Sequence, residues 1–178
     1  MLRRHWGLVV VCAIYVLLAV GYSVVTPPFE APDEIHHYAF IRDLVSERAL
    51  PVQHEGDMPA QRHQPPLYYL AGALLTAWSD EPDGSPYSVA RHNPYWGYAY
   101  AEIGHDNKNL YLHGAWDHFP YHGTALAIHV VRLFSVLLGL LSVCVTYLIG
   151  LELFSGARAP ALGGTALLAF NPMFLFIS

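Results

Sequence analysis

The chain has 178 residues, 54% of them hydrophobic and only 13% charged, and a net charge of −5. Soluble domains of this size carry about 25% charged residues, so the composition predicts a membrane protein, mainly α-helical. With Lys108 as the single lysine there is no basic footprint, and no nucleic-acid partner is expected.

The charges are unevenly placed. Thirteen of the fourteen acids and ten of the eleven histidines fall between Glu30 and His129. Before them, Trp6 to Val25 runs uncharged for twenty residues, the length a membrane span needs. Residues 1–25 are therefore read as a first transmembrane helix. A cleaved signal peptide, with Arg3 and Arg4 as its basic end, is the competing reading. The apolar run exceeds the roughly 7 to 15 residues of a signal core, which favours an uncleaved anchor.

Residues 26–124 form one long loop. It opens with TPPFEAPDEIHHYAFIRDL, Thr26 to Leu44. Pro32 suits a first helical turn, and Ile35, Tyr38, Ile41 and Val45 recur at helical spacing. These predict an amphipathic helix from Asp33 to Arg48, lying along the membrane surface, with Asp33 and His37 on one face. Asp33 and Glu34 fit two roles: acids that complement a helix dipole, or carboxylates held for catalysis. His36 and His37 diverge by about 100° around a helix, so only one can share Asp33's side. HQPPLYYLAGALLTAW, His63 to Trp78, predicts a second helix, too short to span and suited to the interface, with Trp78 at headgroup level.

From Ser79 to Gly123 the loop is polar and crowded with aromatic rings, which fit either an interfacial belt or a surface for sugars. His113, His118 and His122 lack the regular spacing of a zinc site. Cys12 and Cys144 lie in apolar runs and read as small buried hydrophobes. Residues 125–154 predict a second transmembrane helix, with Arg132 at its outer mouth, either snorkelling or meeting a lipid phosphate. Residues 159–178 predict a third, truncated at Ser178, as in a fragment of a longer polytopic protein. Arg3, Arg4 and Arg158 mark the cytoplasmic side, which puts the N-terminus in the cytoplasm and residues 26–124 outside. The expected fold is thus a polytopic helical membrane protein with a large extracytoplasmic loop carrying membrane-parallel helices.

The order PPFEAPDEIHHY, HQPPLYYL, NPYWGY with DNKNLYLH, and HVVRLFSVLLGLLSVCVTYLIGLELF resembles the N-terminal part of bacterial C-type (GT-C) membrane glycosyltransferases. These multispan enzymes include protein O-mannosyltransferases, lipid A aminoarabinose transferases and the RgtA/B/C/D-like group. The resemblance implies transfer of a sugar from a polyprenyl-phosphate donor to an extracytoplasmic hydroxyl acceptor at the bacterial plasma membrane. It implies Asp33 and Glu34 as catalytic acids, and His37, Gln64, Tyr68 and Arg132 as substrate-binding residues. It leaves a divalent cation open, with Asp33 and His37 as its ligands if one binds. A non-enzymatic, membrane-anchored module binding a glycan, lipid or metal is the alternative.

Overall fold

A computed structural model describes residues 5–52, 61–79, 86–96 and 109–177. Arg3 and Arg4, part of the aromatic loop (80–85 and 97–108) and Ser178 lie outside these. The described chain is mainly helical: α1 (Trp6–Val25), α2 (Glu34–Glu47), α3 (Leu67–Thr76), α4 (Pro86–Val89), α5 (Gly123–Leu153), α6 (Arg158–Ala169) and α7 (Pro172–Ile177). Among the described residues no strand forms, and His92 and Tyr111 make an isolated antiparallel bridge. The chain divides into two units, residues 1–25 with 132–178, and residues 26–131.

In the first unit α1 runs antiparallel to the later part of α5. His5 bonds Tyr147, Cys12 lies 3.8 Å from Cys144 and the Tyr15 hydroxyl points at the Val136 carbonyl, so α5 numbers fall as α1 numbers rise. Only a narrow stripe of α1 is buried, Tyr15, Ala19 and Ser23 at four-residue spacing. Both α1 and α5 are long and apolar enough to cross a membrane, and just 17% and 22% of their most apolar windows is buried. A core helix of a soluble domain would be covered on most sides. The remaining apolar surface here is compatible with lipid.

Small residues let α6 approach. Its buried face is Ala161, Thr165 and Ala169, a small-residue repeat of the kind that brings membrane helices close. At Gly150 an added Cβ would sit 2.9 Å from the Ala161 Cα, so α5 and α6 meet backbone to backbone. Between them the chain turns on left-handed Ser155 and Gly156, with Gly156 N–H donating to Leu151 O and Ser155 N–H to Glu152 O. This is the Schellman closure, which satisfies the orphan carbonyls of a helix end.

The run 159–178, expected as one span, is two helices. Pro172 disfavours helical geometry in the residue before it, and the Asn171 side chain caps α7 by accepting from Met173 and Phe174 N–H. Twelve residues of α6 extend about 18 Å, less than the roughly 30 Å of a bilayer core.

The second unit has its own cores. Phe40, Ile41 and Leu44 of α2 pack on Tyr69 and Ala73 of α3. The two helices touch at Gly72, where an added Cβ would come within 2.7 Å of the Ile41 methyl end. A second cluster joins Phe29, Ile35, Tyr38, Ala127 and Ile128, with Tyr87, Tyr111 and Trp116 around it. The apolar side of α2, expected to face the membrane surface, is therefore used inside the unit.

Candidate functional site

The segment before α2 is built from backbone capture by carboxylates. Glu34 Oε2 accepts the Phe29 N–H at 2.6 Å. Phe29 and Asp33 both take left-handed conformations, with φ of 69° and 58°, a geometry that costs a non-glycine residue about 1–2 kcal/mol. Phe29 is held there by burial against Tyr38, Tyr111 and Trp116. Asp33 is thus the residue before α2 and not part of its first turn. Its carbonyl accepts from His36 and His37 N–H, while its carboxylate is exposed and makes no capping bond.

The two histidines part company. His36 Nδ1 and the Tyr87 hydroxyl share a 2.8 Å hydrogen bond, and His37 Nδ1 and the Tyr69 hydroxyl share one of 2.7 Å. The His37 and Tyr69 rings are stacked, and Tyr69 stacks in turn on Phe40. Burial lowers the His37 pKa below its ordinary 6.5, and the Asp33 charge opposes that shift. Burial also raises the Tyr69 hydroxyl. Both directions favour a neutral pair: a neutral imidazole within electrostatic reach of an exposed carboxylate, with Glu34, His36 and His63 also acting on it. Such a pair can take up and release protons.

A second polar centre lies in the same unit. Glu30 accepts Leu110 N–H and Tyr111 N–H at 2.9 and 3.0 Å. His113 Nε2 lies 2.8 Å from Glu30 Oε1, and its Nδ1 lies 2.5 Å from Asp117 Oδ2. Asp117 Oδ1 closes the turn by accepting Gly114 N–H. The imidazole bridges the two carboxylates, so these three groups form one hydrogen-bonded clasp. Their side chains are only 14%, 14% and 3% exposed for His113, Glu30 and Asp117, and their bonds secure loop backbone. Sequence reasoning passed over Glu30 and Asp117 as site residues. The one local signal was the four-residue step from His113 to Asp117.

The chain matches no family model, no curated protein and no solved structure. Its residues carry the reading alone. Of those expected at a site, Asp33, Glu34 and His37 come together at the start of α2. Gln64 bonds within its own turn, to Gln61 and His63. Tyr68 lies edge-on to Tyr69, at 5.3 Å between ring centroids, one residue from the tyrosine that holds His37. Arg132 belongs to the other unit. It is buried, and its Nη1 donates to Ser23 O at 2.7 Å, one of the four carbonyls that a helix end leaves unsatisfied.

A cation finds little here. Asp33 and His37 offer at most two donors, and among the described residues no three His, Cys, Asp or Glu side chains are grouped as ligands. His113 turns both nitrogens to carboxylates within the clasp. Among the described residues, then, no donor set for a metal is assembled.

Proposed function

We propose that the chain is part of a membrane glycosyltransferase that moves a sugar from a polyprenyl-phosphate donor to an extracytoplasmic hydroxyl. In this reading α1 and α5 cross the bilayer, and α6 with α7 takes the place of a third span. The N-terminus is cytoplasmic, and residues 26–124 lie outside with their helices near the membrane surface. The supporting observation is the meeting of two distant motifs. DEIHH and HQPPLYY are joined through the His37–Tyr69 bond, beside an Asp33 carboxylate that is exposed and does not cap the helix.

Chemically, Asp33 removes the acceptor proton as the hydroxyl oxygen bonds to the sugar carbon and the lipid phosphate departs. His37, fixed by its bond to Tyr69, lies within electrostatic reach of that carboxylate. Glu34 is a positioning residue, because its bond to Phe29 N–H shapes the turn that presents Asp33.

The test is sugar transfer by the full-length protein in membranes, using a radiolabelled polyprenyl-phosphate sugar. Asp33→Asn should lower the rate at least a hundredfold, within the 10²–10⁴ typical of acid–base groups, at unchanged expression. A rate within threefold of wild type would remove Asp33 from the chemistry. One observation favours the glycan-binding alternative: Tyr95 is 80% exposed and Trp96 46%. Stacking of free oligosaccharide on these rings, without turnover, would support it.

A further inference from the structure

The α3 helix has two unlike faces. Tyr69, Gly72, Ala73 and Thr76 are buried, whereas Leu67 and Leu74 keep 80% and 81% of their surface exposed, with Leu70, Leu75 and Trp78 also exposed. No residue from Gln64 to Ser79 is charged. The apolar side of α2 is buried inside the unit, so it is α3 that turns an apolar face outward.

Beside this face, the C-terminal turn of α2 and α3 enclose a groove of about 420 Å³, within the roughly 300–1,000 Å³ common for small-molecule sites. Its walls include Leu44, Val45, Leu70, Ala73 and Leu74, and among the described residues Arg48 is the only charged one lining it. Arg48 caps α2 in a left-handed conformation and is exposed.

The shape and chemistry suit an amphiphile with one hydrocarbon chain and an anionic phosphate. A planar guanidinium binds phosphate oxygens in pairs, and apolar walls have nothing to offer a free ion. The unit is also tethered to such molecules, because Thr26 follows directly on α1, a helix of membrane length. We propose that this groove holds one acyl chain of a bilayer phospholipid, its phosphate paired with Arg48, while the outer face of α3 lies in the lipid around it. The inference rests on the membrane setting proposed above and not on sugar transfer.

The test uses the full chain in phosphatidylcholine–phosphatidylglycerol vesicles containing a trace of phosphatidylglycerol with a diazirine at the end of one acyl chain. After illumination, crosslinked peptides are mapped. Labelling is expected at residues 44–50 and 70–77, and to fall at least fivefold in Ala77→Phe, which puts a ring into the groove from an exposed position on its wall. Arg48→Gln, an exposed change that leaves the core intact, should lower labelling by phosphatidylglycerol at least threefold. Added inorganic phosphate should leave labelling unchanged.

Labelling of α1 and α5 with none at the groove would overturn the groove site alone. Labelling nowhere would remove the membrane setting with it. Displacement by inorganic phosphate, or by a polyprenyl phosphate where excess phospholipid fails, would overturn the assignment to a bilayer lipid. Indifference to Arg48→Gln would do the same for the phosphate pairing.

Discussion

The two units keep their shape by different means. In the α1–α5–α6–α7 unit, close approaches of small residues, such as Gly150 on Ala161, act beside bonds from α5 to the two ends of α1, Tyr147 with His5 and Arg132 with Ser23 O. Thr165 returns its hydroxyl to Ala161 O, and Thr146 to Ser142 O, each within its own helix. In the 26–131 unit, carboxylates and histidines reach across 30 to 80 residues to hold backbone and side chains, as Glu30 does for Leu110 and His37 for Tyr69. Apolar surface turned outward leaves the arrangement to packing and a few cross-helix bonds, whereas a loop-rich unit needs its many polar groups paired.

The sharpest way to break that contrast is to remove one long-range carboxylate. Glu30→Ala leaves Leu110 and Tyr111 N–H without their acceptor, and a single charged partner facing His113. Charged hydrogen bonds contribute about 1.5–3 kcal/mol each, and stranded groups add a desolvation cost. The expected loss is about 3 kcal/mol in the 26–131 unit, read as lost amide protection at residues 110–114. The helical unit should show no change. Protection within experimental error of wild type would mean that the clasp contributes nothing to stability.

A matched pair of substitutions comes next. Gly150→Ala places a methyl 2.9 Å from the backbone of Ala161, which can move only if a whole helix moves, while Gly72→Ala meets the flexible end of Ile41. Overpacking against a rigid neighbour costs about 1–3 kcal/mol, and replacing a helical glycine by alanine returns about 1 kcal/mol. Gly150→Ala should therefore destabilise by up to about 2 kcal/mol in mixed-micelle unfolding, and Gly72→Ala should be close to neutral. The reverse order would show that the α5–α6 approach is looser than its geometry implies.

The helical unit was the more legible in sequence. Twenty uncharged residues from Trp6 and the long run after Arg132 announce α1 and α5, because hydrophobic length is a local property. Pro32 marks the start of α2 to within two residues of Glu34. The candidate site was legible only in part. Asp33, Glu34 and His37 share a short motif, but Tyr69 lies 32 residues away and Leu110 lies 80 from its acceptor. No periodicity encodes such pairings. For Arg132 the sequence leaves snorkelling and a lipid phosphate both open, while its bond to Ser23 O, 109 residues away, has no local signal.

The mildest expected effect is a pH dependence of the loop unit. Burial holds the His37 pKa below its ordinary 6.5, against the pull of Asp33, so the folded unit binds this proton less readily than the unfolded chain. Stability from neutral His37 is therefore complete above about pH 6.5 and is lost as pH falls through the lowered folded value. The effect is limited because the ring is half-buried and Asp33 offsets part of the burial. His37→Gln, which can still meet the Tyr69 hydroxyl, should flatten the unfolding midpoint between pH 7 and pH 5. If the wild type gains stability on acidification instead, His37 must be better paired as a cation than as a neutral ring, and Asp33 would then serve as its counter-ion before it could serve as a base.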